Sequence, residues 1–508
     1  MLGKVLTATP VGVEARLVEV ETHSTGGMPH FNIVGLPDQA VKESQVRVKS
    51  ALANSGYRWG NQRVVVSLSP ADLRKEGGGF DLPVALSILA AQKILKSNHL
   101  HKFLFAGELG LDGSLKPSPG ALIFALLARD KGLAGIIVPS SNAREASVVE
   151  GIDVYSANHL GQVVEFLNDQ AELPRVSSPL QELFKKSAES ELDLSEVRGQ
   201  ESAKRALEVA AAGGHNLLML GPPGSGKTML AQRLPGILPA LSLDEALETT
   251  RVYSILGLLT NDLPLITIRP FRSPHHTVSD AGMVGGGTFP KPGEISLAHN
   301  GVLFLDELPE FRKNVLEALR QPMEAGTVHI TRAQGSIAFP ARFMLVAAMN
   351  PCPCGYLADS HHVCRCTPRQ IQNYRSKISG PLLDRIDIQI EVPSVRYREL
   401  SGETSGEKSE EVRKRVERAR ALQKERFKKS RIHCNAQMSS RQVSKFCPLD
   451  DAGHRILENA VDRMGISARG WSRIIKVART IADLENCPDI LARHLSEALS
   501  YRVLDRSH

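Results

Sequence analysis

Eight consecutive residues in the middle of the chain combine glycines, a lysine and a hydroxyl side chain at fixed spacing. They fit the pattern G-x-x-x-x-G-K-[ST], and they are Gly221, Pro222, Pro223, Gly224, Ser225, Gly226, Lys227 and Thr228. Such glycines let backbone N–H groups turn inward around phosphate oxygens at the start of a helix. We expect Lys227 to reach the β and γ phosphates and Thr228 to hold magnesium. The pattern therefore predicts ATP and Mg²⁺ as cofactors.

A pair of acidic residues forms a second chemical signature. Asp306 and Glu307 directly follow the apolar run Val302–Leu305. We expect Asp306 to hold magnesium through water and Glu307 to polarise the attacking water. Together with Lys227, these two carboxylates predict an enzyme that hydrolyses ATP.

The apolar runs around these residues indicate the elements that position them. Leu217–Leu220 before the glycine loop is typical of a buried strand, and residues 228–234 after it are typical of a helix. Val302–Leu305 and residues 342–350 predict two further buried strands. Ligands bind at the carboxyl edge of such parallel sheets, so the sequence predicts an α/β core with its site at that edge.

Four of the seven cysteines lie within one short segment. They are Cys352, Cys354, Cys364 and Cys366. Four thiolates can close a tetrahedral shell around Zn²⁺, and a shell made only of protein ligands is structural. The C-x-C pairs are tighter than the usual C-x-x-C spacing, and His361 or His362 could replace one cysteine. The alternative is a surface loop with four reduced, unliganded thiols.

A segment rich in glycine, proline and histidine separates the lysine from the acidic pair. It includes residues 269–288, which predict an exposed insertion. Residues 324–339 predict a hairpin with Arg332 at its tip. A basic side chain at a hairpin tip can contact nucleic-acid phosphates, so Arg332 is a candidate for a DNA contact. The insertion resembles one that points into the channel of ring-forming AAA+ ATPases, and this resemblance implies Arg272 and His275 as further candidates for DNA contacts. His275 and its neighbour His276 could instead bind a metal ion.

The overall composition is that of a globular protein with an excess of basic residues. A length of 508 residues predicts two to four domains. The net charge of +7 and the isoelectric point near 9.0 favour a polyanionic partner. No apolar run is long enough to span a bilayer and no secretory segment is recognisable, so we expect a cytoplasmic protein without membrane association. Seven cysteines, an odd number, argue against a disulfide framework.

Residues 1–168 alternate predicted strands and helices, among them a strand at residues 11–20. The order of these elements and the motifs at residues 77–85 and 107–113 resemble the Lon-protease-like α+β fold. That resemblance places the serine nucleophile of Lon proteases at Gly79 and their lysine base at Leu122. Neither residue can do that chemistry, so we interpret the region as a non-catalytic domain.

The rest of the chain divides by composition into three parts. Residues 169–193 are polar and contain prolines, which predicts a linker. Residues 194–395 hold the nucleotide motifs, the insertion, the hairpin and the cysteines. Residues 396–508 predict a long charged helix followed by a helical lid.

The nucleotide motifs and the segments around them resemble ring-forming AAA+ ATPases. The position of the insertion is similar to that in the helix-2-insert branch, which includes magnesium chelatases. This resemblance implies that Val197 and Gln200 lie against the adenine. It also implies that Asn350, at the end of a core strand, senses the γ phosphate.

The same resemblance gives roles to three arginines. Arg385, in the run from Pro381 to Asp387, matches the arginine that enters the neighbouring subunit's site in AAA+ rings. The alternative for Arg385 is an ion pair with Asp384 or Asp387. The phosphate-sensing arginine of the lid is implied at Arg469, or at Arg473 one helical turn further on.

The order of these parts resembles the magnesium-chelatase-like AAA+ family of bacteria over nearly the whole chain. That resemblance implies a homohexameric, ATP-driven DNA helicase that promotes branch migration when incoming single-stranded DNA is recombined during natural transformation. Single-stranded and branched DNA are the expected partners, with recombinase or DNA-processing proteins as further candidates. Two alternatives are an ATPase subunit of magnesium chelatase and an ATP-dependent Lon-like protease, which Gly79 and Leu122 disfavour.

Overall fold

The chain divides into two units. A computed structural model describes residues 2–58, 61–95, 99–186, 192–287, 290–332, 335–357, 359, 362–394, 406–430, 432–464 and 466–504. The first unit comprises Met1–Lys186, Leu243–Thr267 and Thr331–Phe339, and the second comprises Ser187–Ser242, Ile268–Ile330 and Pro340–His508. The predicted domain boundaries at residues 168, 193 and 395 remain predictions.

Strands and helices alternate along much of the chain, which confirms the predicted α/β class. The strands are β1 (Leu2–Val11), β2 (Glu14–Gly26), β3 (His30–Val34), β4 (Gln62–Ser69), β5 (Phe103–Phe105), β6 (Glu108–Leu109), β7 (Leu115–Lys116), β8 (Gly135–Pro139), β9 (Asp153–Ala157), β10 (Arg175–Val176), β11 (Leu217–Leu220), β12 (Phe271–Arg272), β13 (Gly285–Gly286), β14 (Lys291–Pro292), β15 (Val302–Leu305), β16 (Thr327–Arg332), β17 (Gly335–Pro340), β18 (Met344–Met349) and β19 (Ile388–Glu391). The helices are α1 (Gln39–Asn54), α2 (Asp81–Ala91), α3 (Ala121–Asp130), α4 (Ser140–Ala146), α5 (Leu160–Leu167), α6 (Leu180–Lys186), α7 (Glu201–Gly213), α8 (Lys227–Ile237), α9 (Leu243–Ile255), α10 (Asp280–Val284), α11 (Glu294–Leu297), α12 (Lys313–Ala318), α13 (Arg320–Ala325), α14 (Pro368–Arg375), α15 (Gly380–Leu383), α16 (Ser409–Arg426), α17 (Ser440–Phe446), α18 (Asp451–Met464), α19 (Ala468–Leu484) and α20 (Ala492–Ser500).

The first unit is built on a mixed eight-stranded sheet with the order β10-β9-β8-β5-β1-β2-β4-β3. Helix α2 is apolar on nearly all sides and packs against β1 and β2, so it lies in the core of this unit. The strand predicted at residues 11–20 is confirmed for residues 14–20, which lie in β2, but its start is wrong because residues 12 and 13 form a turn. The chain turns at Gly12, where φ is +65°, and the two strands on either side pair antiparallel. A glycine allows this backbone conformation at little cost, and the turn places Leu2–Val11 in the sheet.

The positions that correspond to the Lon nucleophile and base are both packed in the first unit. A Cβ atom on Gly79 would lie 2.9 Å from the Ser118 hydroxyl oxygen. Leu122 is fully buried, and its backbone N–H donates to Glu145 at 3.0 Å. The Lon-like relationship of this unit remains a prediction, and so does its non-catalytic role.

The first unit includes a segment that follows the glycine loop in the chain, namely Leu243–Thr267 with helix α9. The Ser254 hydroxyl donates to a carboxylate oxygen of Glu145 at 2.5 Å, and the Ser254 carbonyl accepts from the Gly120 backbone N–H at 3.0 Å. Glu145 is buried, which raises the pKa of its carboxyl group despite the hydrogen bonds it accepts. This carboxyl group therefore joins α9 to the α3 and α4 region of the same unit.

The second unit is built on a five-stranded sheet with the order β12-β15-β18-β11-β19, and all its pairings are parallel. The residues of β11, β15 and β18 are buried throughout, as expected for strands covered on both faces. Helices α7 and α8 pack beside the sheet, and α16 and α19 pack against α7. In the described part of the chain, no helix combines the length and apolarity needed to cross a membrane.

We expect Glu145→Ala to destabilise the first unit. The substitution leaves the Ser254 hydroxyl and the Leu122 N–H without their acceptor, and each buried unsatisfied group costs about 1–3 kcal/mol. Glu145→Gln keeps an oxygen acceptor and should cost less. Urea unfolding, with proteolysis of residues 243–267 as a local probe, measures the effect. Equal midpoints and equal proteolysis for wild type and Glu145→Ala would contradict this role.

Candidate functional site

The glycine loop connects the carboxyl end of β11 to helix α8. Its last glycine, Gly226, has φ of +85° and directly precedes the first helical residue, Lys227. Gly221 lies against the neighbouring strand, and a Cβ atom there would be 2.2 Å from the carbonyl oxygen of Val392. No larger residue fits at this position. The loop therefore has the strand, turn and helix geometry that the sequence pattern predicts.

Lys227 lies within the glycine loop. Its ammonium group donates to the carbonyl oxygens of Gly221 and Pro222 at 2.8 and 2.9 Å, and it lies 3.4 Å from the Asn350 amide oxygen. Burial lowers the pKa of Lys227, while the nearby carboxylates of Asp306 and Glu307 act in the opposite direction. The loop thus holds a positive charge at the start of a helix, which favours an anionic ligand.

Thr228 and Asp306 come together at the edge of the sheet. The Thr228 hydroxyl donates to a carboxylate oxygen of Asp306 at 2.7 Å, and the other carboxylate oxygen accepts from the Glu307 backbone N–H at 2.9 Å. A hydroxyl and a carboxylate at this separation are ligands that suit Mg²⁺, which binds through one or two carboxylates and retains waters. These two residues are the candidates to hold the ion.

Glu307 is held in an unusual backbone conformation beside a histidine. Its φ is +52°, and its carboxylate lies 3.6 Å from Nδ1 of His276. His276 follows β12, which pairs with β15, and the pairing brings the two residues to the same edge. From the sequence, His276 is a candidate only as a metal ligand, and its contact with Glu307 is not predicted. Its position just after a strand was the available signal.

Gln200 and Val197 lie near the base of the glycine loop. The Gln200 side-chain amide donates to the Ser225 carbonyl oxygen at 2.7 Å and to the Pro393 carbonyl oxygen at 3.2 Å. Gln200 therefore joins the loop to the end of β19. Val197 is buried in the apolar core of the second unit. Contact of either residue with an adenine remains a prediction.

Arg385 and Arg473 are both engaged in ion pairs. Arg385 is only 7% exposed and donates to Glu324 at 2.5 Å, and not to the Asp384 or Asp387 considered as its alternative partners. Arg473 donates to Asp387 at 2.7 Å. Burial alone would raise the pKa of the Asp387 carboxyl group, but Arg473 and the neighbouring histidine hold it well below its usual value.

Arg469 differs from the other two arginines. It lies in the first turn of α19 and is exposed. Within the described ranges, no acidic side chain forms an ion pair with it. Of the two arginines considered for the phosphate-sensing role, Arg469 is the one whose charge is not already used in a buried pair, although the role itself remains a prediction.

The three candidate DNA contacts have different surroundings. Arg272 makes a two-bond ion pair with Glu294 at 2.7 and 2.8 Å, which a contact with DNA would have to break. His275 is exposed and bonds to the Thr277 hydroxyl at 2.9 Å. Arg332 is exposed at the end of the first hairpin arm. The hairpin arms form as predicted, and residues 333–334 at its tip lie outside the described residues.

The four cysteines of the segment after β18 form one cluster. Cys352, Cys354 and Cys364 have sulfur–sulfur distances of 3.4, 3.7 and 3.6 Å, and Cys366 lies within 4.8 Å of each of them. A tetrahedral ion with bonds of ~2.3 Å places sulfur atoms ~3.8 Å apart, so the donor set fits one ion. Backbone N–H groups of residues 356 and 365 lower the pKa of Cys354 to about 6.

The histidines considered as replacements do not join this cluster in the described residues. His362 stacks at 4.5 Å on the ring of Tyr356, and its Nδ1 lies 3.4 Å from Asp359. His361 lies outside the described residues. Among the described residues, the four sulfur atoms make up the candidate ligand set.

Known families match most of the chain. Residues 193–400 match the family described as magnesium chelatase, subunit ChlI, and residues 20–142 and 406–502 match the descriptions subunit ChlI of Mg-chelatase and magnesium chelatase, subunit ChlI C-terminal. The chain is 48% identical to the competence protein ComM of Haemophilus influenzae and 46% identical to YifB of Salmonella typhimurium, in each case over 99% of this chain and 98% of the relative. It is also 28% identical to the magnesium-chelatase 38 kDa subunit of Rhodobacter capsulatus, over 31% of this chain and 49% of that subunit.

We expect His276→Ala to lower the kcat for ATP hydrolysis about tenfold with little change in KM. The histidine lies beside the Glu307 carboxylate and is expected to position it, and a tenfold loss in kcat corresponds to about 1.4 kcal/mol of transition-state stabilisation. His433→Ala, at an exposed histidine of the same unit, serves as the control. Steady-state kinetics measures both variants, and an unchanged kcat in His276→Ala would contradict the positioning role.

Proposed function

The chain belongs to the magnesium-chelatase ChlI family, in the full-length group of ComM and YifB, and from this membership we propose that it is an ATP-driven, hexameric DNA helicase. Its role in this proposal is branch migration, in the cytoplasm, when incoming single-stranded DNA is recombined during natural transformation. The observation that carries the ATPase part is the convergence of Lys227, Thr228, Asp306 and Asn350 at one sheet edge.

The residues of this edge have distinct tasks in the proposed reaction. The backbone N–H groups of the glycine loop and the Lys227 ammonium group bind the phosphates. Thr228 and Asp306 would hold Mg²⁺, which neutralises phosphate charge when bound. Glu307, positioned by His276, accepts hydrogen bonds from the attacking water and orients it. Asn350 senses the γ phosphate, and the loop that carries the four cysteines follows it in the chain.

A ring assembly accounts for the state of Arg385. In the single chain, the Arg385 guanidinium group is buried and forms an ion pair with Glu324. In the proposal, a neighbouring subunit's nucleotide competes with Glu324 for the arginine and completes the site. Hydrolysis would then depend on assembly, as it does for arginines supplied in trans.

DNA as the substrate is supported by charge and by the relatives. The net charge of +7 favours a polyanion, and Arg332 presents a cation at the end of an exposed hairpin arm. The similarity to a protein named for competence extends over nearly the full length of both chains. Single-stranded and branched DNA are the proposed ligands, and recombinase or DNA-processing proteins are the proposed partners.

The cysteine cluster is proposed to hold structural Zn²⁺. The sulfur atoms of Cys352, Cys354 and Cys364 lie close to the separations that a tetrahedral ion requires, and the Cys366 sulfur lies within 4.8 Å of each of them. Bound zinc cross-links a segment that otherwise has little regular structure. A full shell of protein ligands gives the ion no part in hydrolysis.

Magnesium chelatase remains the main alternative function, because the family descriptions carry that name. The matched 38 kDa subunit of Rhodobacter capsulatus, however, aligns with only 31% of this chain. An ATP-dependent protease is the other alternative, and the glycine and leucine at residues 79 and 122 oppose it.

We expect the purified wild type to displace strands from forked and three-way DNA junctions in the presence of ATP, and Lys227→Ala to abolish this activity. The lysine is the cation of the phosphate-binding loop, whereas the exposed Lys424 is remote from that loop in the chain, so Lys424→Ala is the matched control. A gel assay of labelled junctions measures displacement. Wild-type ATPase activity without any effect on DNA would contradict the helicase proposal; casein degradation would favour the protease, and porphyrin-dependent turnover the chelatase.

We expect about one zinc ion per chain, and the combined change Cys352→Ser and Cys364→Ser to abolish its binding. Serine oxygen is a poor replacement for a thiolate ligand of zinc. Cys487→Ser, outside the cluster, is the control and should retain the metal. Elemental analysis of the purified proteins measures the stoichiometry, and a metal-free wild type would rule out the site.

A further inference from the structure

The cysteine cluster and the nucleotide site are joined by the same short segment. Strand β18 ends at Met349, and Asn350, whose amide oxygen lies 3.4 Å from the Lys227 ammonium group, follows directly. Cys352, a buried residue of the cluster, comes two positions later. A movement of the cluster therefore acts on Asn350 through a single intervening residue, Pro351.

A second contact links the cluster to the glycine loop itself. Gly355 closes the first cysteine turn, and its backbone N–H donates to the Cys352 carbonyl oxygen at 3.0 Å. It packs against Pro223 so closely that a Cβ atom would lie 2.6 Å from the proline ring. Its φ of +87° is also one that L side chains rarely adopt. The cysteine loop thus rests directly on the phosphate-binding loop.

Helix α14, which follows the four cysteines in the chain, contacts the residues just after the end of β18. Tyr374, on helix α14, is buried close to the Asn350 backbone, and burial raises the pKa of its hydroxyl group to about 12. The Arg375 side chain donates to the Pro351 carbonyl oxygen at 3.4 Å. Both ends of the cysteine-bearing loop therefore contact the residues around Asn350.

The loop between these anchors has little structure of its own. Within its described residues, 351–357, 359 and 362–367, the backbone forms turns and irregular segments. Four bonds to one ion would remove much of the conformational freedom of such a loop. Binding of a metal ion to the four cysteines would therefore restrict the movement of Gly355 and Asn350 relative to the glycine loop.

We propose that metal binding at the four cysteines and nucleotide binding at the glycine loop are thermodynamically linked, with the packing of Gly355 on Pro223 and the position of Asn350 as the coupling contacts. The proposal rests on the ATP-binding function proposed above and gives that site a regulatory ligand, a thiophilic ion such as Zn²⁺. Linkage is reciprocal, so the ion must strengthen nucleotide binding by the same factor by which the nucleotide strengthens ion binding.

The test compares the full chain with and without zinc. The Kd of a fluorescent ATP analogue is measured on zinc-loaded protein, on protein stripped with a chelator, and after zinc is restored. We expect stripping to weaken nucleotide binding by roughly 5- to 50-fold, and restoration to reverse the loss. In the reciprocal experiment, a non-hydrolysable ATP analogue should slow zinc transfer to a chromogenic chelator and raise zinc affinity by the same factor.

Two glycine variants separate the coupling contact from general effects of glycine replacement. Gly355→Ala should retain one zinc ion per chain but lose several-fold in nucleotide affinity, because its methyl group displaces Pro223. Gly132→Ala has a similar positive φ of +67° with no atom within 4 Å of the new Cβ, so it should match the wild type. Thermal unfolding confirms that each variant is folded.

The outcomes distinguish this proposal from the proposed ATPase. Failure of the zinc-loaded wild type to bind nucleotide would sink the ATPase function itself. Normal nucleotide binding that is equal with and without zinc, or equal in Gly355→Ala and Gly132→Ala, would overturn the linkage and leave the ATPase intact.

Discussion

The parallel register of three neighbouring strands is the constraint on which the nucleotide site depends. Strand β18 pairs with β11 on one side and with β15 on the other, so their carboxyl ends lie at one edge. The glycine loop follows β11, Asp306 follows β15 and Asn350 follows β18. A one-residue shift of β18 would move Asn350 by ~3.3 Å and turn its side chain to the opposite face.

Three arginines of the second unit that were considered for ligand contacts are engaged in ion pairs. Arg385 binds Glu324, Arg473 binds Asp387 and Arg272 binds Glu294, each over a short distance. Lys227, in contrast, has only carbonyl and hydroxyl or amide oxygens as direct partners. This arrangement keeps positive charge available in the glycine loop while the other cations stabilise the fold.

Segments that leave the α/β core give this chain its individual features. Leu243–Thr267 follows helix α8 in the chain but belongs to the first unit, where Ser254 donates a hydrogen bond to the Glu145 carboxylate. The cysteine loop departs after β18 and returns at Tyr374, still in contact with the strand that it left. Both excursions begin close in sequence to residues of the nucleotide site.

The sequence by itself determined the groups whose chemistry depends on neighbours in the chain: the glycine loop with Lys227, the acids that end β15, and the four cysteines. It also indicated the α/β class, because runs of buried strand residues are local signals. Only the tertiary structure decided that His276 meets Glu307, that Arg385 pairs with Glu324, and that residues 243–267 join the first unit. These contacts join residues far apart in sequence, and the packing that creates them leaves no periodic trace in either segment alone.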